Sequence, residues 1–453
     1  MLDPNDRAQM ALLFQGTFGL EKESLRITPE GCMAHTPHHI DHPGIVRDFC
    51  ENQPEINTSP HDSLESALQE MHNLSLLVQK GAADHNELIW PFSSPCKIQC
   101  EKDIPIAQYS GKERSKTEYR EYLSGKYGRY KMTFSGIHFN FSFPEKLIRL
   151  SWKQRDPLQE KEEDYASYRE AFYLDLAAKA SYYGWIISAL CSASPLLDGS
   201  FFEKHLIGQT IFDGMGSIRD GEQGYWNFFT PLFDYSSLEN YIESIAKYTR
   251  DGLLKQASEL YYPVRLKPHG SYSLDNLRLN GISHLELRML DLNPLSPDGM
   301  DLDDLRFIHL LLVWMACSPR LSLSDADQIY AIQNFKSAAR FDLSNARIVY
   351  PDDTSQSVLE AAIILLEALD SFFDELPAAY QGVVERQKQK QKLLDPFHNR
   401  YAWIIRQQYG EDYIRLGLQL ARERQKEALD ELEERKQKER AKSRQRAEEK
   451  QDL

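Results

Sequence analysis

Glu21 and Glu23 stand two residues apart in FGLEKESLRI, Phe18 to Ile27, a run that reads as a β-strand. Side chains alternate faces along a strand, so both carboxylates point the same way, with Cα atoms roughly 7 Å apart. Two unit charges at that distance repel by roughly 2 kcal/mol at an effective dielectric near 20. Two readings are open: a solvated strand face where water screens the pair, or a site where a bound cation turns repulsion into attraction. RDFCENQPEINTSP adds Asp48, Glu51 and Glu55 in a stretch bent by Pro54, which on its own reads equally as a surface loop. With His138 and Glu286, the chain offers carboxylates and one imidazole at four separated places. Hard oxygen ligands with an occasional His suit Mg2+ or Mn2+. A nucleotide-handling site follows from such a set.

Phosphate would have to be held without the usual loops. The chain has no G-x-x-x-x-G-K-[ST] run and no G-x-G-x-x-G between a strand and a helix; GMGSIRDGEQGYW is glycine-rich with the wrong spacing. If ATP is used, metals on a sheet must hold its phosphates.

Two segments alternate clearly enough to supply that sheet. In FSGIHFNFSFP, Ile137, Phe139, Phe141 and Phe143 face one way, and Gly136, His138, Asn140 and Ser142 the other. In GISHLELRML, Leu285, Leu287 and Met289 oppose His284, Glu286 and Arg288. One dry face and one face of His, Asn, Glu and Arg predict an antiparallel sheet backed by helices, with chemistry on its polar side. The backing helices are legible too. DSLESALQEMHNLSLL opens with Asp62 as N-cap and Glu65 three residues on, then spaces Leu64, Leu68, Met71 and Leu74 along one stripe. EDYASYREAFYLDLAAKASYYGWIISALCSASP predicts one long helix ending near Pro195, and DDLRFIHLLLVWMACSP and SVLEAAIILLEALDSFFDEL predict two more of core character.

Composition bounds the alternatives. The 453 residues are 42% hydrophobic, enough for one large core or two ordinary ones. A net charge of −15, with no Lys/Arg-rich patch in the body, argues against nucleic acid or an anionic membrane as partner. Cys32, Cys50, Cys96, Cys100, Cys191 and Cys317 show no zinc spacing. MLDPNDRAQM has neither a basic start nor an apolar run, and the longest uncharged stretches, Trp185 to Leu197 and Phe307 to Pro319, are too short to span a bilayer. The expected location is the cytoplasm, with reduced thiols. From Ala421 to Leu453 there are 11 Lys/Arg against 10 Asp/Glu, and no aliphatic larger than alanine lies between Leu432 and Leu453. That segment is expected to be a solvated helix or disordered.

Taken together, FGLEKESLRI, DFCENQPEINT, WPFSSPC, AQYSGKERSKTEYREYLSGKYG, FSGIHFNFSFP, YYGWIISALCSASP, SIRDGEQGYW, ELYYPVRLKP and HLELRMLDLNPLSP, in that order over roughly residues 15 to 320, resemble the glutamate–cysteine ligases of the bacterial, enterobacterial-like type. The resemblance implies an α+β fold similar to the catalytic part of glutamine synthetase: a curved, largely antiparallel sheet forming an active-site funnel, backed by helices. It places Glu21, Glu23, Asp48, Glu55, His138 and Glu286 in a region binding Mg2+ or Mn2+, and Arg288 facing the transferred phosphoryl group of ATP. Phe49, Tyr119, Arg120, Leu123, Arg219, Tyr225 and Tyr261 fall on the amino-acid pockets. The implied reaction activates the γ-carboxylate of L-glutamate as γ-glutamyl phosphate, which the amine of L-cysteine then attacks, the first step of glutathione biosynthesis. The implied organisation is a catalytic domain over 1–380, a helical segment over 381–420 and a charged tail over 421–453, with no obligatory protein partner. Two departures stand out: Met132 where enterobacterial relatives carry glutamine, and no glutathione synthetase module behind the ligase. A ligase joining glutamate to another amine and a catalytically dead metabolite-binding homologue are the competing readings.

Overall fold

The alternating segments do become strands of one sheet. A computed structural model describes residues 1–154, 164–224, 226–373, 375–383 and 388–451, without the side chains of 447–451. Six strands, β1 (Thr17–Glu23), β2 (Ile45–Arg47), β3 (Pro54–Asn57), β4 (Gly136–Ser142), β5 (Val264–Lys267) and β6 (His284–Asp291), form an antiparallel sheet in the order β2-β3-β1-β4-β6-β5. Ile137, Phe139 and Phe141 of β4 are fully buried together with Phe18 and Leu20 of β1 and Leu285 and Leu287 of β6. Phe18 meets Phe139 edge-on at 6.3 Å between centroids, and truncating such a ring to alanine costs about 3–5 kcal/mol.

Helices cover this apolar face: α1 (Leu64–Asp84), α3 (Tyr165–Tyr183), α4 (Trp185–Cys191) and α5 (Leu302–Cys317), while α2 (Arg114–Tyr127) stands at the polar side. Three expectations about these elements need correction. The strand expected over Phe18 to Ile27 ends at Glu23, and Leu25–Ile27 pairs with Leu88–Trp90 in a separate ladder. Ser24 donates to the Pro54 carbonyl (3.1 Å), but Pro54 has no N–H to return, so the β1–β3 ladder stops there. The cap of α1 is Ser63 rather than Asp62; its hydroxyl accepts from the Ser66 N–H. The single long helix expected before Pro195 breaks into α3 and α4 at Gly184, where a Cβ would come within 2.4 Å of the Ala180 carbonyl oxygen and 2.8 Å of the Phe335 ring.

The C-terminal segment differs most. It forms α6 (Tyr413–Gln451), whose first part docks, contrary to the solvated tail expected from 421. Ala421 and Ala428 are buried, Arg424 donates to the Ser296 carbonyl (2.6 Å) and Gln425 to the Glu87 carbonyl (2.7 Å). Alanines allow close approach and the long polar side chains satisfy loop carbonyls, so no large aliphatic is needed. Residues 436–446 are exposed. Upstream, Arg400 is fully buried and donates to the carbonyls of Ala189, Phe341 and Arg340, which ties the segment before α6 to the main core. No helix among the described residues is long and apolar enough to cross a membrane.

Candidate active site

Strand pleating places the site. In β1, β3, β4, β5 and β6 the residues between the core positions turn their side chains to the other face, and register brings them into rows. Glu21 lies opposite His138, Glu286 opposite Asn140 on one side and Arg265 on the other, and Glu23 opposite Glu55. A β-bulge in β6 sharpens the arrangement. Leu287 pairs with Phe139 and Leu290 with Ile137, so Arg288 and Met289 together oppose His138. The extra residue lets Met289 and Leu290, adjacent in sequence, both enter the core, with Arg288 on the polar side.

A cleft of about 230 Å3 opens on this face. All six expected metal-region residues line it, with Arg288, Phe49, Tyr119, Arg120, Leu123 and Tyr261. Arg219 does not; it borders an adjoining cavity of about 40 Å3 that shares Tyr261 and Arg288. Its guanidinium lies against Gly136, where a Cβ would come 2.2 Å from it, and donates to the Arg288 carbonyl (2.8 Å). Arg120 likewise engages backbone, donating from Nε to the Asp48 carbonyl (2.6 Å), which fastens the Asp48–Phe49 corner to α2. Tyr225 lies outside the described residues.

The acidic residues divide into two groups. Ligand atoms of Glu21, His138 and Glu286 lie within 4.8 Å of one another. His138 Nδ1 is 2.8 Å from Glu21 Oε2 and 3.8 Å from Glu286 Oε1; an ionised carboxylate only accepts, so Nδ1 carries the proton in this arrangement, while Nε2 lies 3.7 Å from Glu23 Oε1. Asn140 donates to Glu21 Oε1 (3.0 Å). Glu23, Asp48 and Glu55 form the second group, Glu23 accepting from the Gly136 N–H (3.0 Å).

Electrostatics separate the groups further. Burial alone raises the Glu21 carboxyl and Glu286 adds to that, yet the His138 hydrogen bond and the charges of His138 and Lys267 hold it at about 2. Burial also opposes ionisation of Glu286, but Arg288, Lys267 and Arg265 keep it well below the usual carboxylate range. Burial, then Asp48, raises Glu23 to about 8 against the pull of Arg219 and Arg288. Burial and the charges of Asp48, Glu21 and Glu23 push Glu55 well up. His138 is lowered by burial and by Arg288.

The donor set fits a hard divalent cation. Asn140 Oδ1 is a buried acceptor that receives no hydrogen bond, the kind of unsatisfied oxygen an ion would complete, while Glu286 Oε2 is met by Arg288 and Arg265 as ion pairs. The second group gathers three acidic side chains, with burial favouring the neutral forms of Glu23 and Glu55 and with Arg219 and Arg288 acting on Glu23.

Arg265, Lys267 and Ser258 also line the cleft and were not singled out from the sequence. Lys267 Nζ is 3.1 Å from Glu286 Oε1. The signal was present in PVRLKP: Val264 and Leu266 are buried, so the charges alternating with them must face the site. Met132 borders the same cleft, 2% exposed.

Comparison with known proteins bears on this geometry. The glutamate–cysteine ligase family model matches residues 3–251 and 249–338. The glutathione biosynthesis bifunctional protein GshAB of Listeria monocytogenes is 35% identical over 428 residues, 91% of this chain and 54% of that protein. The glutamate–cysteine ligase of Edwardsiella ictaluri is 32% identical over 361 residues, 70% of this chain and 68% of that one. The chain spans about half the length of the bifunctional relatives it matches. Its fold is that of a crystal structure of glutamate–cysteine ligase from Francisella tularensis in complex with AMP: TM-score 0.80, 23% identity, 91% of this chain and 89% of that one.

Proposed function

The chain belongs to the glutamate–cysteine ligase family, and on that premise we propose that it joins the γ-carboxylate of L-glutamate to the amine of L-cysteine at the expense of ATP, through γ-glutamyl phosphate. The observation that carries this reading is the meeting, in one cleft, of two carboxylate groups with Arg288, Arg265 and Lys267. Glu21, His138 and Glu286, with Glu23, Asp48 and Glu55 beside them, would hold Mg2+ or Mn2+, which supplies neutralisation of phosphate charge. The complex of the Francisella relative with AMP supports the use of an adenine nucleotide.

Phosphoryl transfer is chiefly positioning and charge stabilisation. The bulge aims the Arg288 guanidinium across the cleft, and Arg219 seats its backbone from behind. Phe49, Leu123 and Tyr261 exclude water on the amino-acid side, where a reactive acyl phosphate would otherwise hydrolyse. An ATP-dependent reaction of this kind supports a cytoplasmic location. Met132 favours a second reading, the same mechanism with a different amine, because it presents a thioether to the cleft where a hydrogen-bonding side chain would select a polar acceptor. Release of ADP and phosphate with glutamate across a panel of amines tests both. Cysteine alone supporting turnover favours the first, another amine the second, and no glutamate-dependent release defeats them together.

A further inference from the structure

The two amino-acid-facing walls of the cleft belong to different parts of the chain. Tyr119, Arg120 and Leu123 stand on α2, and Ser258 and Tyr261 on the loop that leads into β5. The sheet holds them at opposite edges: Arg120 fastens α2 to the Asp48 carbonyl after β2, and the loop enters β5. What joins them lies behind the cleft, at Glu259, a carboxylate with 0% exposure. Its Oε1 accepts from Lys126 Nζ (2.5 Å) and from the Tyr127 hydroxyl (2.9 Å), both at the end of α2, and its Oε2 accepts from the Lys255 N–H (2.6 Å) of the loop. Asn227 completes the connection. Its Nδ2 donates to the Tyr127 hydroxyl and to the Glu259 carbonyl, and its Oδ1 accepts from the Tyr261 N–H (2.9 Å). Lys126 also donates to the Leu253 carbonyl (2.6 Å). At the cleft surface the walls also meet, more weakly, where the Ser258 hydroxyl donates to the Tyr119 hydroxyl (3.3 Å).

We infer that Glu259 is a positioning residue whose ion pair with Lys126 sets the separation of the two walls, and thereby the fit of the amino-acid substrates. The identity of those substrates rests on the ligase reading. Breaking a buried pair from one side leaves an uncompensated charge, so the walls cannot part without stranding Glu259. Glu259, Lys126, Tyr127 and Asn227 do not line the cleft, so they act through the residues that do.

The test uses the full chain with E259Q, K126M and K126R. Amide hydrogen exchange should quicken together in residues 114–127 and 255–261 of E259Q and K126M, with β4 and β6 unchanged, and K126R should match wild type. In steady-state assays the KM for the amino acids should rise about tenfold while kcat and the KM for ATP stay within about threefold. Should E259Q fail to fold, K126M carries the test, since Lys126 is 22% exposed and its removal leaves Tyr127 and Lys255 on the carboxylate. Exchange that changes in one wall only, or KM values for ATP and amino acids rising together with a loss of kcat, would overturn the inference. Wild type lacking glutamate-dependent ADP release would defeat the ligase reading instead, and the exchange measurement would still decide whether Glu259 joins the walls.

Discussion

Arg288 Nη1 lies 3.1 Å from Glu286 Oε2, two residues away on the same strand and on the same face. Lys267 (3.1 Å) and Arg265 (3.6 Å) approach the same carboxylate, so Glu286 is the counter-charge for three cations. Glu286→Gln should therefore do more than remove a metal ligand. The expected outcome is activity lower by about a hundredfold and unfolding free energy lower by about 3 kcal/mol, measured by ADP release and urea titration. Unchanged turnover in the folded variant would remove Glu286 from the site.

Glu55→Gln should have the opposite effect on stability. Burial, and then the charges of Asp48, Glu21 and Glu23, oppose ionisation of Glu55, which stands directly opposite Glu23 on antiparallel strands, so a neutral side chain is better accommodated there. Neutralising one should stabilise the chelator-treated protein by about 1 kcal/mol while activity falls. A destabilised metal-free variant would show that Glu55 makes a favourable contact there instead.

Mn2+ or Mg2+ added to chelator-treated wild type at about a hundred times Kd should stabilise it by about 2.7 kcal/mol, read as a shift in Tm. Glu21→Gln should reduce that gain, because Glu21 belongs to the group whose ligand atoms fall within 4.8 Å. An equal gain in both proteins would place the ion elsewhere.

The sheet, its dry face and the site-facing rows were legible because a period of two is unambiguous where one face is all Phe, Ile and Leu, as in Ile137 to Phe143. Helix-backed strands carrying His138, Glu286 and Arg288 followed from the same pattern. What alternation alone does not reveal is register. The bulge that lets Met289 and Leu290, adjacent in sequence, both enter the core depends on pairing with β4, and the division of the acids into two groups depends on which strands are neighbours. The resemblance implies a pocket role for Arg219, which borders the adjoining cavity with its guanidinium against Gly136 and the Arg288 carbonyl, a contact set by a residue without a side chain. The docked start of α6 escaped notice because alanines and arginines carry it.

Truncation separates the two parts of α6. Removing 436–453 should leave Tm nearly unchanged, since residues 436–446 are exposed. Removing 421–453 deletes buried Ala421 and Ala428 and the contacts of Arg424, Gln425 and Glu431, and should lower Tm by several degrees, for a loss of about 2 kcal/mol or more. Equal melting of the two truncations would show that the docking adds nothing.

His72 makes the stability of that docking depend on pH. Its Nδ1 is 3.0 Å from Asp298 and its Nε2 3.1 Å from Glu431, and since carboxylates only accept, both nitrogens must carry protons. The Asp298 hydrogen bond raises its pKa above 6.5 against the effect of burial, with Glu431 assisting. A raised folded pKa means the contribution is complete below 6.5 and is lost as pH rises through the folded value. Wild type should lose stability relative to His72→Gln across that window in urea titrations; parallel curves would show that the proton is not linked to folding.

The acyl-phosphate route can be tested without knowing the natural amine. Hydroxylamine is small and largely unprotonated near neutral pH, so it should intercept an activated glutamate while filling none of the acceptor pocket beside Met132. The expected products are γ-glutamyl hydroxamate, ADP and phosphate, formed only with ATP and Mg2+ or Mn2+. Arg288→Lys should slow this trapping as much as it slows ligation, because an ammonium is a point charge and cannot reproduce the paired contacts of a guanidinium with phosphoryl oxygens. The backbone of Arg288 would still accept from Arg219, so the bulge should survive and the loss should lie in kcat rather than in folding. Release of AMP and pyrophosphate would mean adenylation of glutamate and would refute the phosphoryl-transfer route. Hydroxamate without a cysteine product would keep the activation step and move the question to the acceptor side, where Met132→Gln is the substitution to make: it should lower the KM for a polar amine if Met132 sets the choice, and leave it unchanged if the choice is made by the walls that Glu259 joins.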